Sequence, residues 1–202
     1  MKKAPSVRKI LQALYYIQSK APFDNQSRYN KVYLLKMIFT ADRYHLRHYG
    51  LLATGDSYFA MKLGPVASAT YDILKKSPYN INSAEEVYFS AIKELSENDV
   101  LIDPQEEDEL SVSFKKALDF ALREFGDYDW NTLSNISHCY PEWKKHEENL
   151  PGRMPMDIKD FFDDPADENC FIVFGKKDDP FKENKDFLAL LKDDYDADSI
   201  SI

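Results

Sequence analysis

Apolar residues along this chain mostly recur every three or four positions, with a few shorter stretches in which they alternate or cluster. Near the N-terminus Val7, Ile10, Leu11, Leu14 and Ile17 fall at i, i+3, i+4, i+7 and i+10, which lines them up as one stripe on a helix. Ser6 is placed to cap that helix and Pro22 to end it. A longer helix is predicted from about Ser27 to His48, where Val32, Leu35, Phe39, Leu46 and Tyr49 follow at steps of three, four, seven and three, with Gly50 as its stop.

One position breaks the stripe. Asp42 lies between Phe39 and Leu46, near the centre of the apolar face. A buried carboxylate needs hydrogen-bond donors or a cation, because an unpaired buried charge is very costly. The pattern therefore predicts that Asp42 is a structural anchor, holding the turn at Gly64-Pro65 to the helix.

Residues 57–63, SYFAMKL, have a period of two and β-forming aromatics, so a short strand or hairpin arm is predicted there. Alternation puts Tyr58 and Lys62 on one face and Phe59 and Met61 on the other, one face being core and the other a candidate partner surface. Gly64-Pro65 breaks the strand, and Pro65 is expected to open a helix carrying Val66, Ala69, Ile73 and Leu74 that Pro78 closes. Between Glu85 and Asp103 the pattern is mixed: EEVYFSAIKEL fits strand or helix, and NDVLI reads as a short strand before an acidic loop.

The clearest helix follows, with Ser111 or Ser113 as cap and Phe114, Ala117, Leu118, Ala121, Leu122 and Phe125 on its apolar face up to Gly126. Asp129 is expected to cap a shorter helix bearing Leu133 and Ile136, and Pro141 to start a turn that includes Trp143. Beyond Leu150 the composition shifts. A Pro- and Asp-rich connector, the brief apolar stretch FIVF and an amphipathic helix marked by Phe187, Leu188 and Leu191 lead to an end expected to fray. No internal repeat is visible.

At 202 residues, 44% hydrophobic, 14% aromatic and with only six glycines, the chain has the makings of one packed, mainly helical domain with extensions. No apolar run approaches the roughly 20 residues that span a bilayer, and the N-terminus lacks a signal-type stretch, so a cytoplasmic protein without membrane contact is expected. The two cysteines, Cys139 and Cys170, have neither metal-type nor disulfide-framework spacing and are expected to be reduced, buried thiols. The net charge of -9 argues against gripping phosphate backbones and suits a basic protein partner. Basic residues gather in 1–62, acidic ones in 94–109 and 157–198.

Candidate chemistry is thin. Asp42, His45 and His48 form D-x-x-H-x-x-H, a combination of ligand types that suits zinc or iron, but steps of three spread the side chains over roughly 120° of helix surface. A polar corner is the other reading of these residues, and a metal-dependent enzyme built around Asp42, His45 and His48 stands as an alternative function. Cys139 follows His138 directly, and adjacent helical residues do not face each other, so a catalytic thiol has no support. Gly175-Lys176 lacks the earlier glycine and the following Ser or Thr of a phosphate-binding loop. Lys36, Arg43 and Arg47, on the same helix as Lys31, have the spacing of a basic ridge, and Arg43 and Arg47 join Tyr58 and Lys62 as candidate partner-binding residues. No cofactor is indicated, and the expectation is a protein that is not an enzyme.

These residues add up to a resemblance. NKVYLLKMIFTADRYHLRHYGLLATGDSYFAMKLGPVASATYDILKK resembles the central motif of Panacea-domain proteins, the SocA-like antitoxin family, with Lys36, Ala41, Asp42, His45, Gly50, Thr54, Asp56, Ala60, Gly64, Pro65 and Val66 at the matching positions. A looser second block is similar at Gly126, Leu133, His138 and Trp143. The chain departs from the family at Leu51-Leu52-Ala53 and in HCYPEW, and the match covers about residues 5–148, leaving 149–202 as an acidic C-terminal extension. The resemblance implies a mainly α domain with a small β-hairpin and an antitoxin that neutralises a cognate toxin by direct contact, and the acidic net charge suits a basic one. The alternative the resemblance leaves is an adaptor or phage-linked protein delivering a toxin or other client to a AAA+ protease.

Overall fold

The computed structural model describes residues 5–77, 83–167 and 169–200. Its first helix, α1 (Val7–Lys20), is capped as expected: the Ser6 side chain accepts a hydrogen bond from Lys9 N, and the buried face carries Val7, Ile10, Leu11, Leu14 and Ile17. The second predicted helix is divided. A 3₁₀ turn, Gln26–Tyr29, ends at Asn30, whose side chain accepts from Val32 N at 2.9 Å and starts α2 (Lys31–Tyr49) afresh. A side chain that caps competes with helix continuation, which is why the longer run of periodicity forms two elements. Gly50 closes α2 in the left-handed region, at φ 74°.

The stretch after Gly50 differs from expectation in one respect. Strand β1 (Tyr58–Met61) turns into β2 (Gly64–Ala67), so Pro65 lies in a strand rather than opening a helix, and helix α3 starts later, at Ser68–Leu74. Pro65 is accommodated because β2 is an edge: the sheet order is β2-β1-β5, with β5 being Met154–Pro155. Pro78, expected to close α3, lies outside the described residues. The mixed region resolves into a 3₁₀ run, Ser83–Ala91, and a hairpin of β3 (Ile92–Glu94) with β4 (Val100–Ile102). Helix α4 (Val112–Phe125) uses Ser111 as its cap, α5 (Trp130–Ser137) uses Asp129, and α6 (Pro141–Lys144) begins on its proline. Two 3₁₀ turns, Ile158–Phe162 and Ile172–Phe174, lead to α7 (Lys185–Ile200).

Among the described residues the architecture is mainly α with two small antiparallel sheets. Helix α2 is its axis, packed by α1, α4, α5 and β2. Residues on both sides of Leu150 share one core. Phe161 sits with its ring 5.6 Å from Phe39 and 5.1 Å from Tyr58, and Phe181 stacks on Phe125 at 5.8 Å. Fully burying an aromatic ring is worth about 1.5–3 kcal/mol, so the late segment is held by its phenylalanines rather than by surface charge. No helix among the described residues is long and apolar enough to cross a membrane.

Candidate functional site

An axial helix surrounded by other elements would ordinarily be apolar all round. Helix α2 instead buries Lys36, Asp42, Arg43, His45 and Arg47. Each is tied to a segment outside the helix, Arg43 and Arg47 sharing the Asp163 carbonyl. This polar spine, with the hairpin it holds, contains most of the residues singled out by the sequence.

Asp42 is completely buried and accepts three hydrogen bonds: from Thr54 N at 2.9 Å, from the Thr54 hydroxyl, and from the Tyr58 hydroxyl at 2.8 Å. Burial raises its pKa to about 6, opposed by the Thr54 and Tyr58 bonds. Asp42 is thus an anchor, but for residues 54–58; the turn at Gly64-Pro65 is held by Lys36, whose Nζ donates to Pro65 O at 2.8 Å. That amine is almost fully buried, and desolvation pushes its pKa well below the ordinary lysine value. Gly64 has φ +98°, and a Cβ there would stand 2.3 Å from Ser137 Oγ and 2.6 Å from Lys36 Nζ. Only glycine fits both the backbone and the space.

Asp56 completes the hairpin by capping the helix beyond it, accepting from Ala69 N and Thr70 N, each at 2.9 Å, and from Thr70 Oγ1 at 3.0 Å. Val66 is buried in β2, and Trp143 donates its indole N–H to Met61 O at 2.9 Å while stacking on His138 at 3.6 Å. Burial and the charge of Lys36 lower the His138 pKa to about 4.

The candidate partner surface is corrected in three of its four residues. Tyr58 and Ala60 form the buried face of β1, Phe59 and Met61 the half-exposed one. The buried acceptor Asp42 draws the Tyr58 hydroxyl inward, which alternation alone does not reveal. Arg43 and Arg47 form no surface ridge, since both are fully buried. Arg43 pairs with Glu142 of α6, also fully buried, and donates to Asp163 O at 2.8 Å. Arg47 donates to the carbonyls of Phe161, Phe162, Asp163 and Phe181 and pairs with Asp164 at 2.6 Å. Lys62 alone of the four is exposed.

The histidines on α2 diverge from Asp42. His45 bonds Leu51 O at 2.7 Å and Ser113 Oγ at 3.0 Å, and burial lowers its pKa. His48 bonds Tyr44 O at 2.9 Å and Glu183 at 2.8 Å. Their nitrogens are occupied away from the Asp42 carboxylate, so the polar-corner alternative describes the D-x-x-H-x-x-H segment. Among the described residues no group of three or more His, Cys, Asp or Glu side chains is arranged to hold a metal ion. The thiol of Cys139 lies 3.7 Å from Cys170 O, both residues being half-buried rather than fully buried, and desolvation raises both thiol pKa values.

Glu142 is the residue of this network that sequence reasoning missed. Its only local signal is an acid in the first turn of a helix next to a proline, which normally reads as a solvent-facing dipole effect.

The family model described as Antitoxin SocA-like, Panacea domain, matches residues 34–144. No curated protein and no solved structure matches. The matched span is more than half of the chain and contains the hairpin anchors Lys36, Asp42, Thr54, Asp56 and Gly64 as well as Glu142 and Trp143. The chain belongs to the SocA-like antitoxin family of Panacea-domain proteins.

Proposed function

We propose that this protein is an antitoxin that neutralises a cognate, basic protein toxin by direct binding, without catalysis. Family membership supports the toxin–antitoxin setting. The observation that carries the mode of action is the fate of the motif: Lys36, Asp42, His45 and Asp56 are buried and hydrogen-bonded to the chain's own backbone and side chains. Charged groups so engaged build a scaffold, and action then falls to the exposed surface, where Lys62 remains a candidate contact. The net charge of -9 favours a basic partner through long-range attraction.

Co-expression with the protein encoded by the adjacent reading frame tests the proposal. Suppression of that protein's toxicity together with a stoichiometric complex on purification is the expected result. Toxicity that persists although both proteins are present overturns it. A shortened toxin half-life that reverts when a AAA+ protease is deleted assigns the adaptor role instead.

A further inference from the structure

The far end of the molecule from the α2 C-terminus carries a groove that the scaffold does not use. It is bounded by the 3₁₀ turn Gln26–Tyr29, by Leu95 and Asp99 of the β3–β4 turn, and by Trp130 at the start of α5. Its walls are tied together firmly. Asn25 donates to Gly126 O at 2.8 Å and Tyr128 O at 2.9 Å, Asn30 bridges Asp99, and Lys31 N donates to Asn98 O at 2.8 Å. Yet the walls present large apolar side chains to solvent: Leu95 is 56% exposed and Trp130 37%. Tryptophan and tyrosine set in a rigid, polar-rimmed surface are the composition that dominates binding energy at protein interfaces.

The charges around the groove decide what fits. Segments 23–31, 94–99 and 127–130 carry six carboxylates, Asp24, Glu94, Glu97, Asp99, Asp127 and Asp129, against two cations, Arg28 and Lys31. Neither cation forms an ion pair with any of the six among the described residues. Arg28 lies between the rings of Phe23, at 5.0 Å, and Tyr29, at 4.8 Å, and Lys31 donates its Nζ to Glu97 O. Asp99 lines the groove and the other five carboxylates stand within three positions of its lining residues, which leaves a local negative field beside the exposed side chains of Leu95 and Trp130.

We infer that this groove docks a cationic, amphipathic segment of a partner protein, the apolar side chains against Trp130 and Leu95 and the Lys or Arg side chains against the acidic rim. The inference rests on the partner-binding reading and gives it a surface.

The test is a titration followed by tryptophan fluorescence. Trp143 is buried and Trp130 partly exposed, so binding at the groove moves the Trp130 emission. The probes are an amphipathic peptide of leucine and lysine and its leucine and glutamate counterpart. The Leu/Lys peptide is expected to give a saturable blue shift that Trp130→Phe abolishes, the Leu/Glu peptide none. Leu95→Lys, at an exposed position that folding tolerates, is expected to weaken binding by about tenfold or more. Glu148→Gln makes the same change of one charge at an exposed position outside the groove and should leave binding unchanged. No saturable shift, or equal weakening by Leu95→Lys and Glu148→Gln, overturns the inference. Toxin neutralisation by the wild-type protein is scored separately: neutralisation that survives Leu95→Lys rejects the groove and leaves the antitoxin reading standing, whereas peptide binding without neutralisation rejects that reading alone.

Discussion

Arg43 and Glu142 stand 99 positions apart in the chain and meet as an ion pair at 2.5 Å with both side chains excluded from solvent. The guanidinium also packs on the ring of Tyr140 at 4.3 Å. Burial raises the Glu142 pKa, to about 7, while the charge and hydrogen bond of Arg43 work against that rise. Such a pair is a weak source of net stability, but removing one partner leaves an uncompensated buried charge.

Glu142→Ala should therefore destabilise the protein by about 3–5 kcal/mol, as loss of one member of a buried pair does. The double replacement Arg43→Met with Glu142→Leu should be much less damaging than the sum of the two single losses. Urea denaturation of Arg43→Met, Glu142→Leu and the double variant measures this. Additive losses would mean that the two residues do not act as a pair.

Asp42 offers a second test, in stability and in its pH dependence. Asp42→Ala should cost about 1–3 kcal/mol and Tyr58→Phe about 0.5–1.5, the range for losing buried hydrogen bonds. The folded-state pKa of about 6 is above the ordinary carboxylate value of 3.8, so the folded protein holds this proton more tightly than the unfolded chain. The contribution is present in full below the unfolded value and is lost as pH rises through about 6. Relative to Asp42→Asn, which does not titrate, the wild-type protein should lose melting temperature as pH is raised from 4 to 7. A pH-independent difference between the two would contradict the burial assigned to this carboxylate.

The need for an anchor at Asp42 was legible because a carboxylate in the middle of an apolar stripe must either find donors or be driven out to water, and helical spacing leaves it no route outward. So were the caps at Ser6, Ser111 and Asp129, since capping is a local matter of one side chain and the amides two or three residues ahead. The partners of Arg43 and Arg47 were not. An arginine at helical spacing looks the same whether it meets water or the carbonyls of Phe161, Phe162 and Phe181, because those partners lie more than a hundred positions away. Pro65 misled for a related reason. The first turn of a helix and an edge strand both tolerate a missing N–H, and the pairing with β1 that decides between them is tertiary.

Gly64 should be among the least replaceable positions of the hairpin. Alanine there combines a positive φ with contacts to Ser137 Oγ and Lys36 Nζ that are far inside van der Waals distance. The backbone strain alone is about 1–2 kcal/mol. Gly64→Ala should lower the melting temperature markedly, and adding Ser137→Ala should recover only part of the loss, since the φ penalty and the Lys36 contact persist. Full recovery in the double variant would show that crowding by Ser137, and not the backbone, makes glycine necessary.

The segment after Leu150 gives the last and most decisive prediction. Its acidic composition reads as a tail, but it supplies Phe161, Phe171 and Phe181 to the core and the carbonyl oxygens that accept from Arg43 and Arg47. Removing it would expose those apolar neighbours and leave Arg47 without any of the acceptors that surround it. Desolvated guanidinium groups with their acceptors deleted cost far more than the loss of a surface appendage. A chain ending at Leu150 should be insoluble or molten, with no cooperative thermal transition. A chain ending at Asn184, which keeps Phe161, Phe181 and the carbonyls while losing α7, should fold cooperatively at a lower melting temperature. Circular dichroism melts of the two truncations decide it, and a cooperative transition in the Leu150 chain would mean that the α2 arginines can find acceptors elsewhere.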